Sequence, residues 1–403
     1  MKFNKWTLGL AAVGAVSLAS AVRADEAKLS PLQTALSNTT ISGYVDVAAQ
    51  YNAGNPGQPA QYGYVTGVGG IPGNNSIANN GKVDNFSLND VVISLDKPLD
   101  ESPWASGYHI DLNAGQDAIN AISANAHVPI GGTTLSTSPT LVGVRQAYVT
   151  LRTPVGNGID WKFGAFDGIT GYEGNTGYQN PNYTRSYGYA VNPATEVGLL
   201  GNYKICNAVS VQAGMVNRNN NGGSSVGYSS HDYIAAIALT APDSWSFLKG
   251  STLNLQTIQG FDSGSVNNYS VNGTFNTPVA GLKIGLAYDK VQGLDINNQG
   301  IDGNVYGVYA TYQATKKLGF NVRGEYIDGQ NLGFFSNDGN NYVSNYNGSG
   351  KGEEITATVE YDLWANVVSR LEFRWDHTES GTQYNANNTE SAYLLALNVV
   401  YKF

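Results

Sequence analysis

Arg370, Glu372, Arg374 and Asp376 place a charge at every second position, and Glu354, Glu360 and Asp362 fall on one such alternation just upstream. Alternate residues of an extended chain share one face. Each run therefore sets fixed charges along one side of a strand. Such rows attract, repel and orient ions, as rings of charge do in channels. The same spacing puts Arg152, Lys162, Arg323 and Glu325 on the charged faces of their own segments. A second candidate is the gap from Gly168 to Thr195, which holds Tyr172, Glu173, Tyr178, Tyr183, Arg185, Tyr187 and Tyr189 among Gly, Asn and Pro. Loops of this length without strands of their own are usually functional or disordered, and disorder seldom spends so many tyrosines. Covalent chemistry has little to build on. His109, His127, His231 and His377 show no metal-ligand spacing, and no G-x-S-x-G, Walker or HExxH pattern is present. Asp295–Gly300 fails as a calcium loop, with Gln299 and Tyr306 where oxygen ligands belong. No catalytic, cofactor or metal site is expected.

The elements that must carry these charges are strands. Tyr393, Leu395, Leu397, Val399, Tyr401 and Phe403 alternate up to the last residue, which is the mark of a strand with one apolar face. Ile355, Ala357, Val359, Tyr361 and Leu363 oppose Glu354, Thr356, Thr358, Glu360 and Asp362, and Leu371, Phe373 and Trp375 oppose the row from Arg370 to Asp376. About sixteen such segments (range 14–18) are predicted, near 40–51, 85–96, 106–114, 143–153, 158–167, 196–204, 207–216 and 232–241, then 251–260, 268–277, 281–290, 303–314, 318–328, 353–363, 366–377 and 391–403. Short gaps such as 154–158, 204–207, 277–281, 315–317 and 364–366 alternate with long Gly/Asn/Ser-rich ones near 52–84, 115–142, 168–195, 217–231, 291–302, 329–352 and 378–390. Short periplasmic turns and long outer loops give a transmembrane antiparallel β-barrel this rhythm. Folding the two charged strands about Ala365 sets Glu360 opposite Arg370 as a cross-strand pair.

The other end of the chain reads as a secretion signal. Lys2 and Lys5 precede an apolar run from Leu8 to Leu18, with a cut expected after Ala24, or alternatively after Ala21. The predicted organisation is a signal peptide over 1–24, a periplasmic segment over 25–39 and a barrel over 40–403. Leu29, Leu32 and Leu36 suit a short helix in the middle part. Charged residues make up 13% of the chain, low for a soluble domain. With 31 acidic against 22 basic residues there is no basic footprint for nucleic acid. A charge facing lipid at mid-bilayer costs about 2–4 kcal/mol in such barrels, so the apolar faces are expected to meet outer-membrane lipid and the charged faces the lumen. Acids outnumber bases among these inward positions, which predicts a weak cation preference. Cys206 is expected in a turn as an incidental thiol, buried or half-buried, and Tyr51, Trp104, Trp161, Trp364 and Tyr401 fit interfacial girdles.

Ile41-Ser-Gly-Tyr-Val-Asp46, Phe86 to Pro98 and Arg145 to Gly158, with Lys162-Phe-Gly164, Gly171-Tyr-Glu173 and Asn182 to Ser186, resemble the OmpL-like outer-membrane β-barrel porins. The resemblance covers about the first half of the barrel. It implies a porin-like channel without cofactor and names no solute; a water-filled, charge-lined lumen is expected to pass ions and small hydrophilic solutes by diffusion. The 168–195 gap is similar to the third outer loop of general porins. It either folds inward, with Glu173 and Arg185 setting the local field, or stands outward. A homotrimer follows by the same analogy. The competing expectations are a barrel plugged by the 25–39 segment that displays its loops, and a barrel hydrolase using His109 or His377.

Overall fold

The computed structural model describes residues 32–33, 38–53, 85–115, 117, 141–217, 230–261, 266–294, 300–330, 349–380 and 390–403. Sixteen antiparallel strands form the wall. The first eight are β1 (Thr40–Ala53), β2 (Asn85–Lys97), β3 (Ser106–Gly115), β4 (Leu141–Thr153), β5 (Ile159–Asp167), β6 (Thr195–Cys206), β7 (Val209–Asn217) and β8 (His231–Thr240). They are followed by β9 (Thr252–Gly260), β10 (Val266–Asn276), β11 (Leu282–Leu294), β12 (Gly300–Gln313), β13 (Leu318–Gln330), β14 (Ser349–Trp364), β15 (Val367–Ser380) and β16 (Ser391–Lys402). Each pairs with its sequence neighbours, and β16 pairs back onto β1, so the sheet closes on itself. The seam ends in a reciprocal pair: Gly43 N donates to Phe403 O and Phe403 N to Gly43 O, each at 3.0 Å. A Cβ on Gly43 would lie 2.1 Å from Val92 O and 2.7 Å from the Phe403 ring. Closure is what lets a sheet stand in lipid, since it leaves no edge of unpaired backbone.

The sixteen predicted strands are all present. Several run further at the loop side than the alternation suggests, β14 from Ser349 and β15 to Ser380. Backbone pairing continues past the apolar band, while the periodic signal stops where lipid stops. The two faces disagree as expected. Ile355, Val359, Leu371, Phe373, Leu395 and Leu397 are exposed on the outside, whereas Glu354, Arg370, Glu372, Arg374 and Asp376 are buried within. Glu360 pairs in register with Arg370, with Nε 3.1 Å from the carboxylate.

Two expectations change. Leu32–Gln33 is a short strand paired with Ile41 and Thr40, not part of a helix; residues 1–24, where a signal peptide is expected, and most of 25–39 lie outside the described residues. Cys206 is exposed at the end of β6 rather than buried or half-buried in a turn.

Candidate functional site in the barrel lumen

The connection between β5 and β6 turns into the barrel. Gly168 N donates to Ala194 O at 2.8 Å and closes its neck, and none of residues 168–194 is exposed. Within it lie a 3-10 turn, Gly177–Gln179, and the short helix α1, Tyr187–Val191, where the Ser186 hydroxyl accepts from Tyr189 N at 2.9 Å. So irregular a segment has many backbone groups without ladder partners, and burial makes each of them costly unless it is matched.

The wall supplies the partners. Glu372 accepts from Tyr183 N at 2.5 Å and Thr184 N at 2.9 Å. Glu325 accepts from Tyr187 N at 2.5 Å and Gly188 N at 3.3 Å, at the start of α1. Arg323 donates to Thr184 O and to the loop's own Glu173, both at 2.8 Å, and to Glu354 at 2.6 Å. Arg374 donates to Arg185 O at 2.6 Å and to Asp376 at 2.7 Å. Arg370 reaches the carbonyls of Gly177, Tyr178 and Asn180. Carboxylates thus meet loop N–H groups and guanidinium groups meet loop carbonyls, the charge-assisted bonds that are strongest away from water. Neutral anchors complete the seating: Tyr187 OH to Asp376 at 2.7 Å, Asn192 to Asp289 at 2.7 Å and Asn268 to Val191 O at 2.7 Å. Tyr172 stacks on Tyr309 with ring centroids 4.1 Å apart and shares a hydrogen bond with the Thr274 hydroxyl at 3.0 Å, and burial pushes its own hydroxyl up to about 12.

The candidate residues therefore divide. Arg323, Glu325, Arg370, Glu372, Arg374 and Asp376, expected as a row lining open water, instead lie between wall and loop, while Glu360 holds Arg370 from the wall side. Alternation places them inward but says nothing of what they meet there. Glu173 and Arg185 belong to the loop, where the Arg185 guanidinium donates to Asn175 O at 2.5 Å and lies over the Tyr189 ring. Arg152 sits at the short-turn end, its Nε 3.2 Å from Asp160. Lys162 stands apart on β5.

Beside the loop a cavity of about 900 Å³ remains, against β1–β7. Lys162 and Glu173 line it, together with Asp96, His109, Asp111, Arg145, Asp167 and Lys402. His109 faces Asp96 and Asp111 from its two ring nitrogens, each at 3.0 Å, and stacks on Tyr148. Arg145 binds Asp111 at 2.5 Å. Sequence reasoning passed over Arg145 as a lumen residue because a bulge sets it there. Asp111 opposes Gln146 while Leu112 opposes Val144, so Arg145 is the extra residue and both it and Gln146 point inward. A second bulge, at Asn89 on β2, does the same for Asn89 and Asp90. A motif recognisable in the sequence, Arg145-Gln-Ala-Tyr, marks the first bulge without revealing it.

A closed sixteen-stranded wall, apolar outside and polar within, with one long loop folded into the lumen, defines an outer-membrane porin barrel. No curated protein sequence matches the chain. The chain does match the family described as "Putative beta-barrel porin-2, OmpL-like" over residues 38–403, and it belongs to that family of the bacterial outer membrane. Among solved structures, the outer membrane channel DcaP of Acinetobacter baumannii is similar at 14% identity, covering 93% of this chain and 100% of that one, with a TM-score of 0.58. The anion-selective porin from Comamonas acidovorans shows 8% identity, 91% and 99% coverage and a TM-score of 0.56. Salmonella typhi OmpF in complex with daunomycin shows 12% identity, 91% and 97% coverage and a TM-score of 0.55.

Proposed function

We propose that this porin conducts ions and small hydrophilic solutes by passive diffusion, without cofactor or catalysis, through the water-filled space beside its inward loop. The observation that carries the reading is the cavity itself, left between the wall and a loop whose backbone is tied to the opposite side. The charges along it balance: Asp96, Asp111, Asp167 and Glu173 against Arg145, Lys162, Lys402 and the His109 ring, held between two carboxylates. The weak cation preference rests instead on the wider excess of buried acids over buried arginines around the lumen. Assembly as a homotrimer belongs to the same reading, by analogy with general porins.

The test is conduction by the refolded protein in a planar bilayer across a potassium chloride gradient. Stable steps with a reversal potential slightly on the cation side are expected. Absence of steps would favour a plugged display barrel, and clear anion preference would remove the charge argument. One contact calls for a separate check. His377 Nδ1 lies 3.0 Å from Ser391 Oγ near the loop-side rim, a pairing a barrel hydrolase could use. No acidic group orients the far side of that ring among the described residues, so no ester hydrolysis is expected. Its appearance in the wild type and loss in His377→Ala would overturn the non-enzymatic reading.

A further inference from the structure

Lys162 differs from the lumen arginines that face the wall's carboxylates. The guanidinium groups of Arg152, Arg323, Arg370 and Arg374 each meet a carboxylate. Lys162 has no carboxylate within ion-pair distance among the described residues; its ammonium instead lies over the Tyr148 ring, 4.8 Å from the centroid. It also lines the cavity. A lysine on an aromatic face in a polar cleft retains donors for an anion, because the ring takes up only part of its charge.

A second side chain points the same way. Gln212 on β7 also lines this cavity, is only 6% exposed, and its Oε1 has no hydrogen-bond partner. Its register partner Asn202 leaves its own Oδ1 unmatched as well, so the pair does not satisfy itself. Buried amide oxygens are ordinarily matched, and an exception calls for an explanation. An amide oxygen accepts, so the missing partner is a donor. Lys162 pairs with Leu200 and Leu200 with Gly214, two residues along from Gln212. At strand and residue spacings of about 4.8 and 3.3 Å, their backbones are roughly 12 Å apart. Side chains reaching inward from both can touch the two ends of one small molecule.

We propose that Lys162 and Gln212 form a binding subsite for a small hydroxylated carboxylate, with its carboxylate on the Lys162 ammonium and one hydroxyl donating to Gln212 Oε1. This rests on the open-channel reading and narrows it to a solute class. A local well for an anion coexists with a weak overall cation preference, since the second is set by all the lining charges together.

The probes are gluconate, acetate and sorbitol, added to channels in dilute potassium chloride. Gluconate is expected to reduce open-channel current in a saturable way, acetate much less and sorbitol not at all. Lys162→Gln should raise the half-blocking gluconate concentration about tenfold, as expected for a lost charge-assisted bond. Lys162→Arg should recover part of it. Gln212→Leu should weaken gluconate but leave acetate unchanged, and Lys249→Gln in an exposed turn should change nothing. Equal block by gluconate and acetate, or undiminished block in folded Lys162→Gln, overturns the proposal. Titration calorimetry of gluconate into detergent-folded protein separates the two readings. Heat without conduction defeats only the channel, whereas conduction without heat or block defeats only the subsite.

Discussion

Arg323→Met tests whether the inward loop is held by the wall charges. Arg323 is fully buried and contacts Glu173, Glu354 and the Thr184 carbonyl within 2.8 Å. Methionine keeps most of the stem volume but leaves two carboxylates buried without their shared cation. Breaking a buried ion pair from one side costs about 3–5 kcal/mol. Here the lower end applies, because Arg374 remains 3.6 Å from Glu354. The barrel ladder is untouched, so the cost falls on the seated position of the loop. At about 1.4 kcal/mol per factor of ten, the seated-to-released ratio should drop roughly a hundredfold. The assay pairs single-channel recording with thiol labelling of Ala190→Cys in a Cys206→Ser background, since Ala190 is buried on the loop helix. Larger, noisier conductance steps and faster labelling are expected. A folded Arg323→Met protein with parental conductance and parental labelling would refute the view that these charges seat the loop.

Ala357→Arg, which turns a charge outward on β14 near its middle, should cost about 2–4 kcal/mol of barrel stability in lipid, read from urea unfolding in vesicles. Cys206, exposed at the short-turn end of β6, should react with a membrane-impermeant maleimide from the periplasmic side of intact outer membranes and not from outside. Labelling from outside would invert the assigned orientation. Gly43→Val would drive a side chain into Val92 O and the Phe403 ring, so the heat-modifiable folded band on a gel should be lost. Survival of that band would show that the seam tolerates separation there.

Strand positions and faces were legible because lipid on one side and water on the other impose a period of two on every segment. The Glu360–Arg370 pair was legible because a short turn fixes register. The two bulges were not, since one extra residue leaves the alternation intact on either side of it. Arg145 was therefore not among the expected inward bases, although its guanidinium lies in the cavity wall. The duty of Glu372, Arg374 and Glu325 was legible only in part. Their facing inward follows from their neighbours, but their seizing Tyr183, Arg185 and Tyr187 backbone groups depends on a loop with no periodic signal at all.

Asp46 and Asn398 meet across the seam at 2.6 Å although 352 residues separate them along the chain. No cylinder can exist until β16 has been made and has reached β1. Every earlier length of the polypeptide is a ribbon with two open borders and an unshielded greasy side, the form most prone to stick to its own kind. Making the strands and closing them must therefore be separated in time, and loss of Phe403 would take away the reciprocal clasp on Gly43.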